Sequence, residues 1–179
     1  MVAVIKERSA PTKAEFHAAI AKRSPGWYSA CLRITRNEHL AEDAVQDALL
    51  NAWNKREQFQ SSSSLETWIH RIAVNSALQL LRKNKPERWN ELEFEVADES
   101  ATPAEIHAGS ELESSLANCL RRLTDVERVC FVLRHLEQWR VLEIANELNV
   151  NEGRVKQALF RAVKKLRVSM TGLRSNDHE

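Results

Sequence analysis

Between Val141 and Arg167 the apolar residues Ile144, Ala145, Leu148, Val150, Val155, Leu159, Ala162 and Leu166 recur at helical spacing on both sides of one short break, Asn149-Val150-Asn151. That pattern leaves the segment little choice. It makes two helices that meet at an angle, each burying one stripe. Ala145 is small enough for the second helix to cross close by, Val150 plugs the angle, and Asn151 caps the second helix with its side chain. These are the mechanics of a helix-turn-helix.

The rest of the chain reads the same way. Only four glycines and four prolines occur in 179 residues, too few turn-formers for many short strands, so the expected fold class is all-α. Four helices are predicted in a first lobe. The first runs from about Thr12 to Ser24 and is broken by Pro25-Gly26; the second covers Trp27 to Arg36. Asn37 caps the third, whose stripe is Leu40, Ala44, Val45, Ala48, Leu49, Ala52 and Trp53. The polar segment Gln58 to Ser64 reads as an exposed loop. Ser64, with Thr67 nearby, opens the fourth helix, Leu65 to about Lys83, with Trp68, Ile69, Ile72, Ala73, Ala77, Leu80 and Leu81 inward and Pro86 just past its end.

A second lobe is expected to hold helices over roughly Ser110–Leu123, Asp125–Leu136, Val141–Leu148 and Glu152–Val168. Thr124 and Glu127 have the spacing of a capping box. The domain reading is therefore residues 1–84, a flexible acidic linker over 85–111, a helix-turn-helix domain over 112–170, and a tail over 171–179.

Charge separates these parts. Counted by segment, residues 1–83 carry +4, residues 84–115 carry −7 and residues 116–179 carry +4. Two mildly basic lobes around an acidic connector are what polyanion-binding modules produce, although many ordinary domains share the pattern. On the last helix Arg154, Lys156, Gln157, Arg161, Lys164 and Lys165 fall mostly outside the apolar stripe. A recognition helix offers its first turns to base edges in the major groove. Arg and Gln read bases bidentately, while Lys mainly neutralises phosphate. Phe160 sits at the edge of the stripe, either to touch a thymine methyl or to finish the core. On the fourth helix Thr67, Arg71, Asn75 and Gln79 form a polar strip four residues apart, next to the serine loop and Trp68. Single-stranded DNA is held by such basic and aromatic surfaces, and a plain amphipathic helix gives the same spacing.

Three segments, AEDAVQDALLNAW (41–53), FQSSSSLETWIHRIAVNSAL (59–78) and LEIANELNVNEGRVKQALFRAVKKL (142–166), resemble in order and separation the characteristic segments of extracytoplasmic-function sigma factors of the sigma-70 superfamily. The resemblance covers roughly residues 12–84 and 112–168. It implies a factor that binds RNA polymerase core and directs promoter-specific initiation. Glu42, Asp43, Gln46, Asp47 and Asn51 correspond to residues that dock on the clamp helices of the largest polymerase subunit, and the flap is a second contact. The loop that captures a flipped base of the minus-ten element maps onto Gln58 to Ser64, with Ser61, Ser62 and Ser63 at its centre. Thr67, Trp68, Arg71 and Asn75 map onto the strand-capturing helix. Arg154, Lys156, Gln157, Phe160, Arg161 and Lys164 map onto the helix that reads the minus-thirty-five element as duplex. A family pattern Gly-Thr-Val-Lys-Ser-Arg stands here as Gly153-Arg154-Val155-Lys156-Gln157-Ala158, and a common later Arg is Val163. Those departures fall on positions that contact bases or phosphates in the family, so relatives do not supply the promoter sequence. The small architecture further implies control by a separate anti-sigma factor.

Other classes fit less well. A repressor or activator using only the helix-turn-helix binds as a dimer, and no heptad seam is present. A regulator that never touches DNA has no use for the basic face. No phosphate-binding glycine loop, GxSxG or HExxH motif occurs, so neither an enzyme nor a cofactor is expected. Cys31, Cys119 and Cys130 are odd in number and far apart, which fits buried reduced thiols better than a metal site or a disulfide framework. The apolar run Val2 to Ile5 is too short for a signal or membrane segment, so a cytoplasmic protein without membrane insertion is expected.

Overall fold

The computed structural model describes residues 10–60, 62–84 and 111–174. The chain divides after Asn84 into two compact units. The expected linker, including Glu91, Glu93, Glu95, Asp98 and Glu99, lies outside the described residues.

The first unit is a three-helix arrangement: α1 (Lys13–Thr35), α2 (Glu38–Asn54) and α3 (Leu65–Asn84), with a 3-10 turn at Arg56–Gln58. The α1 start is a full capping box, Thr12 with Glu15. The Asn37 side chain accepts the Leu40 N–H at 2.9 Å to open α2, and Ser64 Oγ accepts the Thr67 N–H at 3.1 Å to open α3. Each cap satisfies a donor that the first helical turn leaves without an intrahelical partner.

The expected break at Pro25-Gly26 is absent: α1 runs through it. Pro25, Gly26 and Ala21 are all exposed, so the carbonyl that loses its partner at proline faces water. Phe16 and Ala19 before the proline and Trp27, Ala30, Cys31 and Ile34 after it are buried. They pack α1 against α2 and α3 on both sides of the proline, which offsets its cost. Gly26 lies in helix, and a Cβ there would meet no heavy atom within 4 Å. Gly26→Ala is therefore expected to stabilise this unit by about 0.5–1 kcal/mol, read as a higher melting temperature; a lower one contradicts an unbroken α1.

The buried face of α2 is alanine throughout: Ala41, Ala44, Ala48 and Ala52 are each fully buried. Small side chains let α1 and α3 approach the α2 backbone closely. The larger residues are pushed aside, and Trp53, expected in the core, is 37% exposed. Its ring meets Phe16 edge-on at 5.1 Å, with the Arg56 guanidinium 4.4 Å above it. In α3, Val74 and Leu78 join Ile69, Ala73, Ala77 and Leu81 in the core.

The second unit holds α4 (Glu111–Leu120), α5 (Asp125–Phe131), α6 (Val141–Leu148) and α7 (Glu152–Arg174). The α4 helix stops three residues before the predicted Leu123, in a turn. The predicted helix to Leu136 changes character at Val132, where one π-helical turn, Val132–Leu136, continues it. Gln138 follows with φ 60°, and Trp139, buried, is held by its N–H to the Leu133 carbonyl and by Arg134 Nη1 on its own carbonyl. The α7 helix passes the expected end at Val168 and takes in Thr171 to Arg174 of the expected tail. All three cysteines are buried; burial, then the Glu127 carboxylate, push the Cys130 thiol up to about 12, so it packs as a neutral small hydrophobe. No helix among the described residues is long and apolar enough to cross a membrane.

Candidate nucleic-acid interface

The turn between α6 and α7 is built by its asparagines. Asn149 takes the left-handed conformation, φ 54°, which asparagine tolerates better than most residues. Its N–H and that of Val150 return to carbonyls of the last α6 turn, Val150 to Ala145 at 2.9 Å. Asn151 Oδ1 then accepts the Arg154 N–H at 2.9 Å and caps α7. A Cβ at Gly153 would lie 3.1 Å from that same oxygen, so glycine clears the space the cap occupies.

Val155, Ala158, Ala162 and Leu166 are the buried stripe of α7, which packs against α5 and α6; Val129 of α5 and Ile144, Ala145 and Leu148 of α6 are buried with it. Arg154, Lys156, Gln157, Phe160 and Lys164 are exposed, and Arg161 is half-buried. Phe160, at 72% exposure, does not finish the core. Three expectations change here. Ala158 is buried rather than turned out, so its departure from the family pattern is a packing substitution; Leu159, expected in the stripe, is half-buried beside it. Lys165 is not an outward cation: its Nζ lies 2.7 Å from Glu127 Oε2. Lys156 has Glu152 at 3.3 Å, one turn earlier, an exposed pair of little energetic weight.

Underneath lies an ion pair that sequence reasoning missed. Arg128 is fully buried, and its Nη2 stands 2.7 Å from Asp125 Oδ1, whose side chain is 6% exposed. The DVER order at the start of α5 sets the two one turn apart. The Thr124–Glu127 capping box closes the same turn.

In the first unit, Glu42, Asp43, Gln46, Asp47 and Asn51 are all exposed on α2. Leu50, 63% exposed, stands among them, one turn from Asp47 and two from Asp43, so an apolar residue shares the acidic face. Its signal was its place outside the alanine register. Near Glu42, burial and then the Glu38 and Glu42 charges push the pKa of the Tyr28 hydroxyl above its ordinary value, so it stays protonated more firmly.

Ser62, Ser63 and Ser64 are exposed, and Ser61 lies outside the described residues. The loop is anchored rather than loose at its start: Gln58 belongs to the 3-10 turn, and Phe59 packs against Trp68 with ring centroids 5.2 Å apart. Trp68 is thereby half-buried. Thr67, Arg71 and Gln79 are exposed along α3, but Asn75 is half-buried, and its Oδ1 is buried with no hydrogen-bond partner. At the helix start Glu66 accepts its own N–H and the Ser64 hydroxyl, which with Lys22 hold its carboxyl below the usual range.

Two family models match the chain: Sigma-70 region 2 over residues 20–87 and Sigma-70, region 4 over residues 113–166. The chain is similar to the ECF RNA polymerase sigma factor SigW of Bacillus subtilis, 27% identical over 156 residues that make up 82% of this chain and 83% of that protein. It is 33% identical over 160 residues to the ECF RNA polymerase sigma factor SigG of Mycobacterium tuberculosis, covering 76% of this chain and 43% of SigG, so it spans less than half of that relative. Among solved structures, the sigma factor RpoE in complex with the anti-sigma factor NepR from Bartonella quintana superposes with TM-score 0.56 at 22% identity, over 88% of this chain and 97% of that one. CnrH, in complex with the cytosolic domain of CnrY, superposes with TM-score 0.52 at 20% identity, over 90% of each. Identities this low speak for a shared fold.

Proposed function

We propose that this chain, which belongs to the extracytoplasmic-function group of the sigma-70 family of RNA polymerase sigma factors, recruits polymerase core to its promoters and opens them by a division of labour between its two units. The single observation that carries the reading is the sidedness of α7. Its stripe from Val155 to Leu166 is buried, while Arg154, Lys156, Gln157 and Phe160 stand exposed at the end nearest the turn, where a recognition helix meets base edges.

In this reading Arg154, Gln157 and Arg161 meet bases of the minus-thirty-five element, Phe160 lies against a thymine methyl, and Lys156 and Lys164 neutralise phosphates. Asp43 and Asp47, one turn apart, with Glu42, Gln46 and Asn51, pair with basic groups on the clamp helices of the largest subunit, and the C-terminal unit meets the flap. Leu50 adds an apolar contact that the acidic residues surround. The serine loop from Ser61 to Ser63, with Thr67, Trp68, Arg71 and Asn75, takes the flipped base of the minus-ten element. Asn75 Oδ1, buried without a hydrogen-bond partner in the free chain, accepts from a base amino group once rotation of its side chain brings it to the surface. Asn75→Ala is accordingly expected to leave closed complexes intact and to reduce promoter melting, about tenfold if a single hydrogen bond of about 1.5 kcal/mol is lost; permanganate footprints of unchanged intensity contradict the role. No catalytic residue, cofactor or metal enters this function. The chain works in the cytoplasm under an anti-sigma factor that covers the polymerase-facing or DNA-facing surfaces; RpoE is itself found in complex with an anti-sigma factor, NepR.

The test is transcription by core polymerase with and without the purified chain, with start sites mapped across the genome. Starts that require the chain and share an upstream element are expected; their absence contradicts the proposal.

A further inference from the structure

Lys165 belongs by sequence to the basic surface of α7, and Arg122, Arg161, Lys164 and Val168 line an open groove with it. Its ammonium nevertheless turns to Glu127. Glu127 Oε2 accepts Lys165 Nζ at 2.7 Å and the Thr124 N–H at 3.0 Å, while Thr124 Oγ1 accepts the Glu127 N–H at 3.3 Å. One carboxylate oxygen thus caps α5 and holds α7, 38 residues further along the chain. The Glu127 side chain is 6% exposed and that of Lys165 is 38% exposed. Burying a carboxylate this far from water is costly unless a cation and donors meet it, and here Lys165 and the Thr124 N–H do.

We infer that Glu127 is a positioning residue for DNA recognition: through Lys165 it fixes α7 to the start of α5, and it withholds the Lys165 charge from DNA. The inference rests on α7 being the recognition helix. Lys165 and Arg154 are eleven residues apart, about 16 Å along the axis. A small tilt at the tie therefore displaces the base-reading end by a comparable angle over a long arm. The basic face is correspondingly one cation smaller than its sequence implies, and Lys164, exposed one position earlier, is the phosphate partner.

Two measurements on the full chain test this. Glu127→Gln keeps an acceptor for the Thr124 cap but removes the charge that holds Lys165; Lys165→Met keeps the packing stem. Hydrogen exchange at the Ala162 and Leu166 amides of the free protein, in both single variants and the double, should show coupling of about threefold or more in the opening equilibrium. Additive effects overturn the tie. In the complex with core polymerase, Lys164→Met should lower the slope of log affinity for promoter duplex against log salt by about one. Lys165→Met should weaken binding about threefold or more and leave the slope unchanged, while Lys165→Arg restores affinity. A slope lowered by about one in Lys165→Met makes Lys165 a phosphate contact and overturns the inference; unaltered affinity in that variant overturns the positioning role. If the unaltered chain forms no promoter complex, the functional reading fails while the exchange result still decides the tie.

Discussion

Replacing Gln157 and Arg161 together with alanine is expected to cut initiation at the chain's own promoters by about thirtyfold or more, because each lost base contact is worth about 1–3 kcal/mol. Gln157 is exposed and Arg161 half-buried, and neither belongs to the stripe of Val155, Ala158, Ala162 and Leu166 that seats α7. Alanine also suits a helix interior better than the residues it replaces. The double variant should consequently bind core polymerase normally and melt at an unchanged temperature. The loss should be selective, largest on promoters whose minus-thirty-five element matches best and small on templates lacking it. Abortive-initiation assays across a set of substituted promoters read this directly. Unchanged discrimination among those promoters contradicts the assignment of the α7 face.

The second large effect is on stability. Asp125→Ala is expected to cost the C-terminal unit about 3–5 kcal/mol, since it takes away the carboxylate 2.7 Å from a guanidinium that is fully buried and leaves that charge without its nearest counterion in a poorly solvated place. Asp125 also opens α5, whose neighbour across the unit is α7, so the recognition helix loses its support. Thermal unfolding should show an earlier transition for this unit alone, with the N-terminal unit unaffected. Adding Arg128→Met to Asp125→Ala should recover much of the loss, because a buried pair replaced on both sides is far cheaper than one broken on one side. A shift below about 1 kcal/mol in the single variant contradicts the burial of this pair.

What could be read from the sequence was what short-range chemistry decides. Asn37, Ser64, Thr124 and Asn151 each stand at the start of a helix and each supplies its cap, because capping depends on residues three apart. The helix-turn-helix was legible for the same reason: its stripe and its turn lie within one contiguous segment. The misses depend on contacts that helical spacing alone does not fix. Pro25 is carried inside α1 because α2 and α3 hold the helix on both sides of it. Trp53 is displaced from the core because alanines at 41, 44, 48 and 52 already fill that face of α2. Lys165 reads as part of the outward face of α7 until Glu127 claims it, and Ala158, at a DNA-contacting position of the family pattern, is claimed by the core. The π-helical turn after Phe131 has no local signature at all; it is held by Trp139 folding back on Leu133 and Arg134. The α2 residues Glu42, Asp43, Gln46, Asp47 and Asn51 were legible as a set through the family resemblance, and all lie outside the buried alanine face; Leu50, outside the predicted stripe, was given no role because helical periodicity assigns none to an apolar residue off the buried face.

The most direct test of α7 as the promoter-reading helix places a photo-crosslinking amino acid at Phe160, the most exposed large apolar residue among those described, and irradiates the chain in complex with core polymerase on a promoter whose start site is known. A crosslink to duplex DNA about thirty-five base pairs upstream of the start, in the major groove and dependent on core polymerase, is the expected result. A crosslink confined to the melted minus-ten region, or to protein alone, contradicts it.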